Sequence, residues 1–98
     1  MSSILGQQRF EWDLRKARSN LAAHGVRFET AVDVFNDPMR LEEDDSFAEG
    51  EYRTIVIGHS DGTILTVVYT EPEENLIRII SARRATAMER KAYDHSLL

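Results

Sequence analysis

The spacing of apolar residues in the first third of the chain predicts a short strand followed by two helices. Residues 9–12 alternate between polar and apolar, which indicates a strand, and Asp13 after them is a suitable helix N-cap. Apolar residues then recur at helical spacing over 14–24, and the glycine that follows ends this helix. A second stripe over 28–35 predicts a second helix, which ends before Pro38 because the residue before a proline avoids the helical conformation.

The second half of the chain predicts three strands and a final helix. The strands are rich in Val, Ile, Thr and Tyr, and they cover residues 52–59, 64–70 and 76–82. The Asp61-Gly62 pair is a strong hairpin signal, and the close spacing of all three strands predicts an antiparallel meander. A capping box that begins at Thr86 opens the last helix, which reaches about Tyr93.

Together these elements predict an α+β fold in one domain that spans residues 1–98. Two N-terminal helices pack on an antiparallel β-sheet, and a C-terminal helix follows the last strand. The acidic segment 39–50 is weakly patterned, so we expect it to be mostly loop, with part of it an edge strand. Residues 1–8 are polar and are expected to be flexible. Nothing in the pattern resembles a βαβ nucleotide-binding unit.

Composition excludes several classes of protein. The chain has 98 residues, of which 42% are hydrophobic and 30% charged, as is ordinary for one globular domain. It has no cysteine, which excludes disulfides and thiolate metal sites. Residues 1–8 lack the basic and apolar regions of a signal peptide, and the longest apolar runs are strand-sized. We therefore expect a cytoplasmic protein without membrane contact.

The formal net charge of −5 is unevenly distributed along the chain. Residues 9–27 and 76–98 each carry +3, whereas residues 28–51 carry −8. If the two basic ends meet in the folded protein, they form a positive patch on an acidic molecule, which suits a polyanionic partner. The alternative is that these charges are scattered and solvated.

One arginine stands where the strand pattern predicts an apolar residue. Arg78 lies in the run Leu-Ile-Arg-Ile-Ile, on the predicted strand face of Leu76 and Ile80. Such a charge is costly to bury unless it has a partner. It indicates either an ion pair with an acidic residue or a guanidinium that binds phosphate. Arg53 has a similar but less central position in its strand, which favours an edge or structural role.

A polar stripe on the first predicted helix consists of Lys16, Asn20 and His24, which are spaced by four residues. His24 lies in the last turn, where the helix dipole favours a protonated imidazole. The stripe indicates either solvated polar residues beside a capping histidine, or a site at which His24 transfers a proton near neutral pH.

Further candidates lie at the ends of predicted strands. Adjacent Arg83 and Arg84, at the last strand-to-helix junction, indicate either anion binding or surface charge. Tyr69 and Glu71 share a strand face, where they are either a core residue and a turn carboxylate or groups that transfer protons. The three histidines do not form a convincing metal cluster, and there is no nucleophile motif or phosphate loop, so no metal or cofactor is predicted.

Three segments of the chain resemble the BrnT family of toxins. The first covers 10–31, with Phe-Glu-Trp-Asp at its start and His-Gly-Val in its middle. The second is Val-Tyr-Thr-Glu at 68–71, and the third covers 78–93, which begins Arg-Ile-Ile-Ser-Ala-Arg-Arg-Ala-Thr. Two departures are Leu14, where a proline is common, and Ala23, where a basic residue often precedes the histidine.

This resemblance implies the toxin of a type II toxin–antitoxin system, with a RelE-like fold. Such a toxin is a metal-independent endoribonuclease, needs no cofactor, and blocks translation during stress by cleaving RNA. It implies a BrnA-like antitoxin, with which the toxin forms a heterotetramer of two toxins and two antitoxins. The complex represses its own operon, and the toxin meets operator DNA through the antitoxin alone.

For a ribonuclease whose nucleophile is the RNA 2′-hydroxyl, the chain needs cations around the phosphate and groups that move protons. We expect Arg78 and Arg83 to clamp the phosphate, Lys16 to add charge, and His24 to transfer a proton, with the tyrosine and glutamate above as alternatives. The predicted catalytic residues are Lys16, His24, Tyr69, Glu71, Arg78 and Arg83. The predicted RNA-binding residues are Arg53 and Arg84.

A second class of function stays open at this point. The chain is alternatively a non-enzymatic interaction subunit, a corepressor or an inactivated toxin, which docks on a DNA-binding antitoxin. The acidic stretch 42–45 repels phosphates, so it argues against direct contact with DNA and would suit a basic antitoxin segment. Arg78 and Arg83 discriminate between the classes, since a docking module has no need of cations on a sheet face.

Overall fold

The computed structural model of the chain describes residues 2–48 and 51–96. These residues form six strands, three α-helices and one 3₁₀ helix. In chain order these are β1 (Ser2–Leu5), β2 (Gln8–Glu11), α1 (Leu14–His24), α2 (Phe28–Val32), the 3₁₀ helix (Asp33–Asn36), β3 (Leu41–Ala48), β4 (Glu51–Ser60), β5 (Thr63–Glu73), β6 (Leu76–Arg84) and α3 (Ala87–Ser96).

The strands form one sheet in the order β1-β2-β6-β5-β4-β3. Neighbouring strands are antiparallel except β2 and β6, which are parallel. The predicted α+β class with a C-terminal helix is confirmed, but the prediction of a purely antiparallel sheet is wrong. Strands β2 and β6 are separated by most of the chain, so no turn between them indicates their relative direction.

The predicted start and end of the first helix are confirmed by its caps, whereas the last helix extends to Ser96, beyond the predicted end near Tyr93. The Asp13 side chain accepts hydrogen bonds from the backbone N–H groups of Arg15 and Lys16, at 2.7 and 3.1 Å. These bonds, the largest cause, lower the pKa of Asp13. Gly25 follows α1 in the left-handed conformation, with φ of 69°. The second predicted helix is α2 continued by the 3₁₀ helix, which ends shortly before Pro38.

Turn chemistry also accounts for the meander of β4, β5 and β6. Asp61 and Gly62 both have positive φ, 49° and 79°, as a two-residue hairpin turn requires. The next turn has Asn75 at φ 58°. The capping box that opens α3 is reciprocal: Glu89 N–H donates to Thr86 Oγ1 at 3.1 Å, and Thr86 N–H donates to Glu89 Oε1 at 2.8 Å.

Two strands differ from the sequence prediction. Segment 39–50 was predicted to be mostly loop, but Leu41–Ala48 forms the eight-residue strand β3 and pairs with β4. Its acidic residues hide the strand pattern, which is common in edge strands that avoid pairing with other chains. No strand was predicted within residues 1–8, where Ser2–Leu5 forms β1 and pairs with β2 across a turn in which Gly6 has φ of 64°.

The two faces of the sheet are covered differently. Helices α1 and α2 and the 3₁₀ helix pack on one face, here called the covered face, with a core that includes Phe10, Phe28, Val67 and Ile79. At Gly58 the 3₁₀ helix comes so close that an added Cβ would lie 2.8 Å from a Val34 methyl group. The opposite face is called the open face, and α3 covers one end of it.

Candidate active site

The centre of the open face carries a row of polar side chains that crosses four strands. Arg78 pairs in register with Thr70 on one side and with Glu11 on the other. Arg53 precedes Thr54, which pairs with Tyr69, so Arg53 lies level with Thr70. Because residues at the same level of a sheet and on the same face are neighbours, Glu11, Arg78, Thr70 and Arg53 form one row.

Arg78 is held in this row by an ion pair. Its Nε donates to Glu11 Oε2 at 2.6 Å, and the two side chains are 45% and 34% exposed. The terminal guanidinium nitrogens make no hydrogen bond to the residues that the structure describes. The predicted ion pair is therefore present, and it leaves the forked end of the guanidinium able to bind an anion.

The hydroxyl group between the two arginines is unsatisfied. Thr70 is 3% exposed, and its Oγ1 is buried with no hydrogen-bond partner in the described part of the chain. A buried polar atom without a partner is costly, and functional sites are a common reason for one. The row thus combines two cations with a hydroxyl whose hydrogen-bonding capacity is unused.

Arg83 lies on the same face as Arg78 but under α3. Its terminal nitrogens donate to both carboxylate oxygens of Glu89, at 2.7 and 3.0 Å. The hydrogen bonds from Arg83 are the largest influence on Glu89 and lower the pKa of its carboxyl group to about 2. The same pair raises the pKa of Arg83. In this structure Arg83 attaches α3 to the sheet through a bidentate pair.

Tyr69 and Glu71 lie on the covered side of the sheet, away from this row. Tyr69 is 3% exposed, and its hydroxyl donates to Glu42 Oε1 at 3.1 Å. Burial, and secondly the charge of Glu42, raise the pKa of Tyr69, so the phenol stays protonated and is a weak acid. Glu71 is exposed and lines a cavity of about 450 Å³ together with Tyr69, Arg40 and Glu42.

The polar stripe on α1 is divided by the fold. Lys16 and His24 are exposed, but Asn20 is 6% exposed and faces the edge of β6. The Asn20 amide accepts from Ala82 N–H at 3.0 Å, and donates to the carbonyl groups of Ala82 and Val26 at 2.7 and 3.0 Å. The Asn20 amide therefore hydrogen-bonds to the backbone of β6 as a neighbouring strand would. It does so at Ala82, past the part of β6 that pairs with β2.

The two basic segments of the chain meet in the folded protein. Helix α1 packs against β6, and Arg27 and Arg84, one from each segment, line the same cavity. The acidic strand β3 lies at the far edge of the sheet, with Glu42, Glu43 and Asp44 exposed. Two cations, one from each basic segment, therefore lie at one cavity, which Asp61 also lines.

The predicted site residues thus separate into distinct places. Arg53 and Arg78 share the row, and Arg83 lies further along the same face beneath α3. The predicted proton-transfer residues lie on the covered side or on α1. Glu11 and Thr70 were not assigned a role from sequence. The sequence pattern did not indicate the contact of Glu11, because Glu11 is 67 positions from the arginine that it contacts.

Among residues 2–48 and 51–96, no three His, Asp or Glu side chains converge in a way that would hold a metal ion. In the same part of the chain, every helix is too short or too polar to cross a membrane.

Comparison with known proteins agrees with these observations. The model of the family described as "Ribonuclease toxin, BrnT, of type II toxin-antitoxin system" matches residues 12–89. Among solved structures, the chain is similar to the 1.1 Å crystal structure of the Brucella abortus ribonuclease toxin, BrnT, with a TM-score of 0.60 and 24% identity. That match covers 79% of this chain and 95% of the other, and it shows a shared fold. A search of curated proteins gave no match. Since the family model covers most of its length, the chain belongs to the BrnT family of ribonuclease toxins of type II toxin–antitoxin systems.

Proposed function

We propose that this chain is a metal-independent endoribonuclease whose active site is the row of Glu11, Arg78, Thr70 and Arg53 on the open face. The observation that carries the proposal is the placement of two arginines, from different strands, on either side of a buried hydroxyl without a partner. The family supports ribonuclease activity, and the row is the described part of the sheet that best suits a phosphodiester.

The proposed reaction uses the RNA 2′-hydroxyl as the nucleophile. The 2′-oxygen forms a bond to the adjacent phosphorus, the bond from phosphorus to the 5′-oxygen breaks, and the products are a cyclic phosphate and a 5′-hydroxyl. Negative charge increases on the phosphorane oxygens, where preorganised cations stabilise the transition state. Arg78 and Arg53 supply these cations, and the Thr70 hydroxyl donates to a phosphate oxygen.

Proton transfer in this proposal begins at Glu11. Its carboxylate contacts Arg78 and would therefore lie close to a phosphate held by that arginine. It would accept the proton of the 2′-hydroxyl, and the departing 5′-oxygen would take up a proton from water. His24 and Glu71 are alternative proton acceptors further from the row, whereas Tyr69, whose phenol stays protonated, could only donate a proton. Lys16 and Arg84 would bind flanking RNA, and Arg83 would do so if RNA displaced Glu89.

Metal independence belongs to the same proposal. Cleavage by the 2′-hydroxyl needs proton transfer and charge stabilisation, both of which the row supplies without a metal. The proposal also includes a RelE-like fold and the inhibition of translation through loss of RNA. Both belong to one toxin domain over residues 1–98.

The family implies an antitoxin partner, and we propose how it meets this chain. A basic segment of a BrnA-like antitoxin would approach the acidic edge of the sheet, where Glu42, Glu43 and Asp44 are exposed. Two toxins and two antitoxins would form the repressor complex. Because the acidic edge repels phosphates, operator DNA would be bound by the antitoxin.

Arg78→Ala tests the active site. We expect RNA cleavage to fall by at least about 100-fold, because the variant loses a cation that stabilises the phosphorane. Cleavage of total RNA by purified protein is the measurement, with growth arrest on induced expression beside it. Arg18→Ala, an exposed arginine of α1, is the control and should retain activity. Full activity in a folded Arg78→Ala protein would contradict the proposed site.

The wild-type protein separates the classes of function. RNA that stays intact with well-folded wild-type protein, and growth that continues, would contradict the ribonuclease proposal and favour the docking subunit. Glu11→Gln tests the proton acceptor, because the amide keeps a hydrogen bond to Arg78 but cannot take a proton at the same oxygen. We expect kcat to fall with little change in KM, and an unchanged kcat would exclude Glu11 from this role.

A further inference from the structure

A second polar cavity lies on the covered side of the sheet, remote from the row. It has a volume of about 270 Å³ and lies where the loop between α1 and α2 meets the β4–β5 turn and the end of β6. Its lining includes Arg27, Thr30, Ser60, Thr63 and Arg84. Asp61 also lines it, so two cations face one acid.

The two arginines of this cavity differ from three arginines on the strands, which form ion pairs. Arg9, Arg78 and Arg83 each have a carboxylate partner at 3.0 Å or less. The guanidinium groups of Arg27 and Arg84 have no hydrogen bond or ion pair with the residues that the structure describes, and both residues are exposed. Their full hydrogen-bonding capacity is therefore available to a ligand.

Hydrogen bonds join the elements that surround these arginines. Ser60 is 2% exposed and its Oγ donates to the Thr30 carbonyl oxygen at 2.7 Å, which ties α2 to the end of β4. At the end of β6, Ala85 N–H donates to the Ile64 carbonyl oxygen at 3.0 Å. A preorganised site loses less entropy when it binds a ligand, which favours ligand binding at this cavity.

We propose that this cavity binds a backbone phosphate of the RNA strand outside the scissile position. Two unpaired guanidinium groups and the hydroxyls of Thr30 and Thr63 recognise phosphate oxygens and read no base. Arg84 lies six positions after Arg78 on β6, roughly 20 Å along an extended strand but on the opposite face, so an RNA strand that contacts both would pass around the end of the sheet. This inference rests on the proposed function, and it adds a second anchor for RNA beyond the cleavage site.

Salt dependence of RNA binding tests the second anchor without catalysis. The probe is a fluorescent single-stranded RNA with 2′-O-methyl groups, which cannot be cleaved, and its binding is followed by anisotropy from low to high salt. Each phosphate contact contributes about 0.7 to the slope of log K against log salt for a single strand. This slope is negative, and we expect the double variant Arg27→Ala/Arg84→Ala to reduce its magnitude by about 1.4.

The control is Arg15→Ala/Arg18→Ala, which removes the same charge from exposed positions of α1 that do not line the cavity. It should leave the slope closer to wild type than the cavity variant does. An equal slope for the cavity variant and wild type would overturn the inference. So would an equal decrease in both double variants, because that outcome indicates diffuse charge and no site.

Two further results separate an RNA phosphate from a free anion, and separate this inference from the proposed ribonuclease activity. Inorganic phosphate that shifts the amide NMR signals of Thr63 and Arg84, with an RNA slope that does not depend on the arginines, would indicate a free-anion site and overturn the inference. A slope that depends on Arg27 and Arg84 in a protein that cleaves no RNA would support this inference and contradict the proposed ribonuclease.

Discussion

The covered and open faces of the sheet use polar side chains in opposite ways. On the covered face, Asn20, Ser60 and Tyr69 are buried and each is hydrogen-bonded to a defined partner. At the centre of the open face, Arg78 has unused terminal nitrogens, and the hydroxyl of Thr70 has no partner among the described residues. These buried polar groups of the covered face stabilise the fold, whereas the centre of the open face retains bonding capacity that a ligand would satisfy.

The largest effect on stability is expected on the covered face, at Asn20. Asn20→Ala leaves the N–H and C=O of Ala82 and the C=O of Val26 without their partner in a buried place. We expect a loss of about 3 kcal/mol in the free energy of unfolding, measured by urea denaturation. Lys16→Ala, on the same stripe but exposed, should change stability by less than about 0.5 kcal/mol. Equal stability of the two variants would contradict a stabilising role for the hydrogen bonds of Asn20.

A smaller effect is expected where α3 meets the open face. Glu89→Gln weakens the pair with Arg83, and we expect to lose about 1 to 2 kcal/mol at neutral pH. The pKa of Glu89 is lowered from 4.5 to about 2, so its stabilisation is present above pH 4.5 and is lost as the pH falls towards 2. Chemical denaturation across this range should show the dependence in wild type and a weaker one in the variant.

The matched control for that experiment is Glu74→Gln, an exposed glutamate in the turn before β6. It should leave the acid dependence of wild type unchanged. If Glu89→Gln also retained the full dependence, the pair with Arg83 would not be the source of it.

A second α3 contact should contribute about 1 kcal/mol. The Tyr93 hydroxyl donates to Asp37 Oδ2 at 2.6 Å. This hydrogen bond, and secondly burial, raise the pKa of Tyr93 from 10.0 to about 12. Its stabilisation is therefore present below pH 10 and lost between pH 10 and 12. Thermal melts of Tyr93→Phe should show a lower Tm at neutral pH and a weaker alkaline decline, and an unchanged Tm would refute the contribution.

The smallest effect is expected for an ion pair that resembles that of Arg78 but lies outside the row, at the level of Leu76 in the sheet. Arg9 Nη2 contacts Glu73 Oε1 at 3.0 Å, and both side chains are more than half exposed. We expect Arg9→Ala to change stability by no more than about 0.5 kcal/mol in denaturant titrations. Arg78→Ala should be similarly mild in stability while it abolishes cleavage. A strongly destabilised Arg78→Ala protein would instead assign that arginine a structural role.

Much of the local structure was predictable because its causes are close in the chain. The Asp13 cap, the glycine that ends α1, the Asp61-Gly62 turn and the Thr86–Glu89 box each involve residues within a few positions of one another. Strand β3 was predicted only in part, as an edge strand within a loop, since edge strands carry charges that obscure alternation and depend on a partner strand for their hydrogen bonds.

The candidate site was predictable in residue type but not in arrangement. Arg78 was identifiable as a charge in an apolar run. Both predictions for it are compatible with the structure, because its Nε forms an ion pair and its terminal nitrogens are available to an anion. Asn20 and Glu11 were not assigned their contacts, which lie 62 and 67 positions away. Proton-transfer candidates chosen by residue type lie on other surfaces, because a sheet separates residues that alternation places on its two faces.

The sequence by itself determined the class of fold, the helix ends, the hairpins and the family, since these follow from residues near one another and from motifs in order. The tertiary structure decided the parallel pairing of β2 with β6, which brings Glu11 beside Arg78, and the packing of α1 on β6, which brings Arg27 and Arg84 to one cavity. Contacts of this kind join distant parts of the chain and depend on the packing of the whole core, so no local pattern records them.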